Sequence, residues 1–156
     1  MASNNMKILV GTTKGAFLVS GNSGRGDWKV SGRFCDGWPI NHVIADPATG
    51  PLWAGGGGDL HGAGIWRSGD GGGTWEVARL TTGMMDEWAA NDPDFAAIIN
   101  WNDEPLPFAD EFSQIWSLGL AHGTLYAGTK PASLLASQDG GKTWDRVRGV
   151  ERPPFC

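Results

Sequence analysis

The chain has 156 residues, including 25 glycines and 9 tryptophans, and a formal net charge of −5. This length suits one domain with a hydrophobic core, and the glycine content favours short strands joined by tight turns. The sequence contains no basic stripe and no apolar run of about 18 residues, so we expect no nucleic-acid partner, no membrane partner and a cytoplasmic location. Two cysteines, Cys35 and Cys156, are too few for a disulfide framework and predict free thiols.

The first predicted unit comprises residues 7–32 and contains three strands, at 7–13, 15–20 and 28–31. The last two of these strands are joined by a glycine-rich turn in which Asn22 lies roughly where the corresponding turns of the later units have Asp. The run Val-Gly-Thr-Thr-Lys that starts at Val10 resembles the run Ala-Gly-Thr-Lys-Pro that starts at Ala127. This similarity indicates an internal repeat.

The second predicted unit comprises residues 41–80, with strands at 42–46, 51–55, 64–68 and 74–79. Its last two strands are joined by the octapeptide Ser-Gly-Asp-Gly-Gly-Gly-Thr-Trp, which begins at Ser68. Four short strands in succession predict an antiparallel sheet of four strands.

An acidic insertion is predicted at residues 81–113, with eight acids and no Lys or Arg between positions 86 and 111. Asp92 is suited to cap a short helix that would begin at Pro93. The acids could attract Ca²⁺, and the tryptophans, including Trp88, could stack on a sugar. The alternative is a solvated lid over a small apolar core. No cofactor is predicted.

The third predicted unit comprises residues 114–150, with strands at 114–121, 123–129, 132–137 and 143–148. Its octapeptide, Ser-Gln-Asp-Gly-Gly-Lys-Thr-Trp, begins at Ser137. Both octapeptides fit S-x-D-x-G-x-T-W. In this pattern Ser and Asp accept hydrogen bonds from backbone N–H groups, and Gly supplies a positive φ. We interpret these residues as structural: Ser68, Asp70, Gly72, Thr74, Trp75, Ser137, Asp139, Gly141, Thr143 and Trp144.

The two octapeptides resemble Asp boxes, also called bacterial neuraminidase repeats, and the whole chain resembles the N-terminal part of bacterial glycosyl hydrolase or exo-sialidase-like proteins that contain them. The predicted fold is all-β: a single partial β-propeller domain, residues 1–156, of about three four-stranded blades with a partly helical insertion. The first blade lacks its inner strand. In the proteins that contain them, Asp boxes lie far from the active site, so the resemblance assigns no catalytic residue here.

Strand direction alternates within a blade, so the connections between second and third strands and those between blades are predicted to share one face. Candidate carboxylates for an acid/base pair on that face are Asp36, Asp59, Asp110 and Glu111. Candidate binding residues are Trp38, His42, His61, Trp88 and Lys130. The alternatives are that Asp36 and Asp59 only satisfy turn N–H groups and that His42 is structural. The histidine spacing matches no metal motif, so no metal site is predicted.

A sialidase would, by resemblance, use three arginines, a Tyr–Glu pair and an acidic Asp, whereas here Arg79 and Arg148 are predicted to end outer strands far from the axis. The most suitable function is a binding or scaffold module for carbohydrate or protein. One alternative is a fragment of a glycoside hydrolase, completed by further blades or a second chain. Another is an assembly-factor-like module that binds protein. Because three blades cannot close a ring, two explanations are open: the chain is a truncated or split gene product, or it self-associates through exposed blade edges.

Overall fold

The computed structural model describes residues 6–149 and shows a mostly β fold, with 45 % strand and 12 % helix. The predicted β class is therefore confirmed. Cys156, one of the two cysteines predicted to be free, lies outside the described residues, whereas Cys35 is a buried free thiol. Within residues 6–149, no helix has the length and apolar character needed to cross a membrane.

The first unit is a three-stranded antiparallel sheet in chain order, formed by β1 (Met6–Thr12), β2 (Gly15–Gly21) and β3 (Lys29–Phe34). Its register pairs Leu18 with Leu9 of β1, and β3 runs three residues beyond the predicted end. A 3-10 turn, Cys35–Gly37, follows β3 and leads into the second unit.

The second and third units each contain four strands, and each strand pairs antiparallel with the next one in the chain. The second unit consists of β4 (Ile40–Ala45), β5 (Leu52–Gly58), β6 (Gly62–Ser68) and β7 (Glu76–Arg79). The third consists of β8 (Gln114–Ala121), β9 (Thr124–Lys130), β10 (Leu134–Ser137) and β11 (Asp145–Arg146).

These two units are joined into one curled eight-stranded antiparallel sheet, a half-barrel, whereas the sequence predicts separate sheets. The junction is the pair Gly57 and Gln114, because β5 extends to Gly58 instead of ending at residue 55. The backbone of Gly57 has a φ of 117°, which glycine adopts without strain. The extra length of β5 therefore brings it alongside β8.

The two octapeptides fold into the same hydrogen-bonded turn. In each, the Ser hydroxyl donates to the Asp carboxylate, at 2.9 Å from Ser68 and 2.8 Å from Ser137. The Thr hydroxyl also donates to that carboxylate, and the Trp indole N–H donates to the carbonyl three residues earlier, at 3.0 Å in both turns. Hydrogen bonds from Thr74 and Ser68 lower the pKa of Asp70 to about 2. The negative charge of the carboxylate thus holds the turn together.

The last strand is shorter than predicted because the second turn holds the preceding backbone. The carboxylate of Asp139 accepts hydrogen bonds from the N–H groups of Lys142 and Thr143. These groups are consequently unavailable to a neighbouring strand, so β11 begins at Asp145 instead of at the predicted residue 143 and spans Asp145–Arg146.

The insertion contains two helices, α1 (Met84–Asn91) and α2 (Pro93–Ile98). The predicted cap is present, since the side chain of Asp92 accepts hydrogen bonds from two N–H groups of α2. Helix α1 was not predicted. Its first N–H groups donate to the carbonyls of Asp59 and Leu60, so the loop before β6 satisfies the start of this helix.

Two hydrophobic clusters lie between successive units. One joins the first and second units and includes Ala16, Ala54 and Trp66. The other joins the second unit, the insertion and the third unit. It contains Trp53, Ala63, Ile65, Leu80, Phe108, Phe112, Ile115, Leu118, Leu125, Ala127, Leu135 and Trp144. Burial between units therefore supplies the main stabilising contacts.

Candidate functional site

A cavity of about 460 Å³ lies between the turn after β3, the start of β6, the end of β7 and the insertion. We call it the aromatic cavity. It is lined by Asp36, Trp38, His61, Arg79, Met85, Asp86, Ile99, Asn100, Trp101 and Asn102. Its volume is within the range of small-molecule sites in proteins. Three predicted site residues, Asp36, Trp38 and His61, are thus brought together.

An aromatic stack forms one wall of this cavity. The rings of Trp38 and His61 lie parallel, with centroids 4.6 Å apart, and Trp66 meets Trp38 edge-on at 5.5 Å. Burial and the nearby Arg79 guanidinium lower the pKa of His61 below its ordinary value. At neutral pH the imidazole is therefore uncharged, and it offers one donor and one acceptor nitrogen.

Asp86 connects three parts of the cavity. Its carboxylate accepts hydrogen bonds from Arg79 at 2.6 Å, from the N–H of Gly83 at 2.8 Å and from the indole of Trp101 at 3.0 Å. Partial burial of Asp86 alone would raise its pKa, but these hydrogen bonds outweigh that effect and lower it. Asp86 is consequently an ionised positioning group and is unsuited to act as a general acid at neutral pH.

The rim of the aromatic cavity is polar and comes mostly from the segment after α2. Asn100 and Asn102 are exposed, and Trp101 between them is half-buried. On the opposite side Asp36 is exposed and has a φ of 49°, the left-handed region that Asp tolerates better than most residues. Two amides and a carboxylate therefore surround an aromatic interior.

A second cavity, of about 270 Å³, borders the start of α1, and we call it the acidic cavity. The predicted carboxylates Asp59, Asp110 and Glu111 line it together with Glu87. Glu111 also forms an ion pair with Arg146. Among residues 6–149, no group of three or more His, Cys, Asp or Glu side chains is arranged to hold a metal ion, so the geometry offers no support for Ca²⁺ at the insertion.

The remaining predicted binding residues line neither cavity. The Nδ1 atom of His42 accepts a hydrogen bond from the N–H of Leu118, which ties β4 to β8. Lys130 lies 5.0 Å from the ring centroid of Trp116. Trp88 is 50 % exposed on α1 and contacts Phe95 edge-on. The hydrogen bond of His42 agrees with the alternative interpretation that this histidine has a structural role.

Sequence reasoning missed Arg79, Asp86 and Trp101. Arg79 was expected far from any site, yet α1 folds back over the end of β7 and places Asp86 against its guanidinium. The available signal was Asp86 itself, an acid three residues after Gly83, where a carboxylate can cap the helix start. Its contact with Trp101 is tertiary, so local sequence does not reveal it.

A scan against protein-family models gives no match for this chain, and a search of curated proteins gives no relative.

Proposed function

We propose that the chain is an Asp-box propeller module of the sialidase- and sortilin-like type and that it binds a carbohydrate in the aromatic cavity. One observation supports this class of ligand: stacked and half-buried aromatic rings lie beneath a rim of two amides and a carboxylate. Such a cavity suits a ligand with both apolar and hydroxylated surfaces.

The propeller part of the proposal is supported by repetition. The second and third units have the same four-strand order, and both contain the S-x-D-x-G-x-T-W turn with equal hydrogen bonds. Successive units also bury their side chains against one another. We interpret the units as about three blades, the first without its inner strand, because repeats that stack face to face in this way form a continuous core.

The chemistry of the aromatic cavity fits sugars for two reasons. The apolar C–H face of a pyranose packs on an indole, and Trp101 is fixed in orientation by its hydrogen bond to Asp86. Sugar hydroxyls both donate and accept hydrogen bonds, which matches the exposed amides of Asn100 and Asn102 and the carboxylate of Asp36. A preformed site of this kind loses little free energy in ordering side chains.

The proposal is tested by measuring the affinity of neutral and anionic mono- and disaccharides by calorimetry, with Trp101→Ala and Trp88→Ala as matched variants. Both tryptophans belong to the insertion, but only Trp101 lines the cavity. We expect Trp101→Ala to weaken binding at least about tenfold, or about 1.4 kcal/mol, and Trp88→Ala to leave it unchanged. Equal effects of the two variants, or no binding of any sugar, would contradict the proposal.

A glycoside hydrolase is the second candidate function, because three of the four predicted carboxylates share the acidic cavity. Glycoside cleavage needs two carboxylates at a defined separation, one of them protonated. Hydrolysis of aryl-glycosides would then fall in Asp59→Asn and Glu111→Gln, while Asp94→Asn, an exposed position on α2 that lines neither cavity, serves as the control. Activity that is unaffected by the first two substitutions would exclude these residues.

A further inference from the structure

The second unit is packed on both faces. Neighbouring residues of a strand point to opposite faces of the sheet, so Trp53 and Ala54 point in opposite directions. Ala54 and Trp66 pack with Ala16 of the first unit, on what we call the leading face. Trp53 and Ile65 pack with the third unit, on what we call the trailing face. The second unit therefore has one face toward its predecessor and one toward its successor.

The strand register identifies the position of Trp53 in the third unit. In the second unit, Trp53 lies opposite Arg67, the residue just before the Ser of the octapeptide. In the third unit, Tyr126 lies opposite Ala136, which also comes just before the Ser of its octapeptide. Tyr126 is therefore the trailing-face counterpart of Trp53. Trp53 is 4 % exposed, whereas Tyr126 is 37 % exposed. Within residues 6–149, the trailing face of the third unit thus lacks the cover that the second unit has.

A second position shows the same difference. Both β4 and β8 have a register shift at one residue, Asn41 and Trp116 respectively, so these two residues are equivalent. Asn41 donates a hydrogen bond to the carbonyl of Ile115 in the following unit at 2.9 Å. Trp116 is 54 % exposed. Two independent positions of the trailing face are therefore contact points in the second unit and open in the third.

The first unit has the complementary feature on its leading face. By the similarity of the runs that start at Val10 and Ala127, Ile8 corresponds to Leu125. Leu125 is 1 % exposed, but Ile8 is 46 % exposed. Val19 pairs with Ile8 on one side and with Val30 on the other, so the three side chains form one cross-strand row. Val30 is 68 % exposed. In the part of the chain that the structure describes, an apolar row thus lies exposed on the first unit.

The first unit also contains a turn like those of the two octapeptides, one of which forms a contact between units. The indole of Trp28 donates to the carbonyl of Arg25, three residues earlier, at 3.0 Å, as Trp75 and Trp144 do in their turns. The turn of the third unit receives a hydrogen bond from Trp53 of the second, at the carbonyl of Gly140, 2.8 Å away. Trp28 is 41 % exposed, so its turn is available for an equivalent contact.

We propose that the trailing face of the third unit in one copy of the chain binds the leading face of the first unit in another copy. The contact would continue the interface that already joins successive units, with Tyr126 in the place of Trp53 and the Trp28 turn in the place of the octapeptide turn. Such head-to-tail contacts are heterologous, so they produce a closed ring or a fibre. The inference is independent of carbohydrate binding.

The experiment is sedimentation analysis of the full chain and of two variants. The trailing variant contains Trp116→Asp and Tyr126→Asp, and the leading variant contains Ile8→Asp and Val30→Asp. We expect the wild-type mass to rise with concentration to two or more copies and each variant to remain a single copy. An equimolar mixture of the variants should form a pair that grows no further, because each retains one intact face.

Ile98→Asp is the matched control, since Ile98 is 78 % exposed on α2 and belongs to neither face. It should associate like the wild type. The milder substitutions Tyr126→Ser and Ile8→Ser maintain the test if the aspartate variants fail to fold, as judged by circular dichroism. A wild-type chain that stays a single copy up to millimolar concentration would overturn the inference. Variants that associate as the wild type does, or a mixture that forms no pair, would also overturn it.

Discussion

Three tryptophans hold the same place in their turns but differ in burial, which gives a graded prediction. Trp144 is 5 % exposed, Trp75 is half-buried and Trp28 is 41 % exposed, while all three indoles donate to the carbonyl three residues earlier. Substitution by alanine should therefore destabilise the chain in the order of burial, with Trp144→Ala the most harmful.

The magnitudes follow from the apolar surface that each ring buries. A buried Trp replaced by Ala costs about 3–5 kcal/mol, so Trp144→Ala removes a large part of a domain stability of about 5–15 kcal/mol. Trp28 is 41 % exposed and so buries little more than half of its surface, which should make Trp28→Ala cost about 2 kcal/mol. Trp75 is half-buried, and its loss should cost an amount between those of Trp28 and Trp144.

The assay is urea unfolding followed by far-ultraviolet circular dichroism, because tryptophan fluorescence changes with each substitution. The Tyr126→Asp background keeps association from contributing to the result. Phenylalanine at the same three positions is the control, since it removes the hydrogen bond but retains most of the apolar surface. The losses in unfolding free energy should therefore differ less among the three phenylalanine variants than among the three alanine variants. Equal losses for Trp28→Ala and Trp144→Ala would refute the role of burial.

Three further results are expected. Burial and the adjacent Asp36 raise the pKa of the Cys35 thiol to about 12, so in a Cys156→Ser variant a thiol reagent at about pH 8 should modify Cys35 only after unfolding, and prompt native labelling would contradict this. The folded pKa of Asp70, about 2, lies below the ordinary 3.8, so its stabilising effect is present above about pH 4 and is lost as the pH falls to about 2. The difference in melting temperature between the wild type and Asp70→Asn should shrink as the pH falls from about 4 to about 2. A difference that stays constant over this pH range would argue against a stabilising role for the Asp70 charge. Gly71 and Gly72 both have positive φ, but only a side chain at Gly72 would contact the neighbouring unit, at 2.7 Å, so Gly72→Ala should lower the melting temperature more than Gly71→Ala does.

The sequence predicts the strands and turns well because their determinants are local. The S-x-D-x-G-x-T-W turn is fixed by hydrogen bonds within eight residues, as the contacts of Asp70 and Asp139 show. The helix after Asp92 is likewise determined by its own cap and by Pro93. Interactions of this range can be deduced from residue type and spacing alone.

The features that sequence reasoning missed depend on contacts between distant segments. Helix α1 begins at a glycine, without a Ser, Thr or Asp cap, and its first N–H groups are satisfied by the loop before β6. The junction of the two larger units depends on how far β5 extends through successive glycines. His42 was a binding candidate by type, yet only the proximity of β8 determines that its ring accepts a backbone hydrogen bond.

Asp86 connects the proposed ligand site to the stability of the insertion. It is hydrogen-bonded to Arg79 on β7, to Gly83 at the start of α1 and to Trp101 beyond α2, so one carboxylate holds three segments in place. A sugar that packs on Trp101 would bind only while the insertion is held against β7 by Asp86. Sugar binding would therefore stabilise this position of the insertion by mass action. In Asp86→Asn a single amide oxygen cannot accept all three hydrogen bonds, so the indole should lose its fixed orientation and the sugar affinity measured by calorimetry should fall.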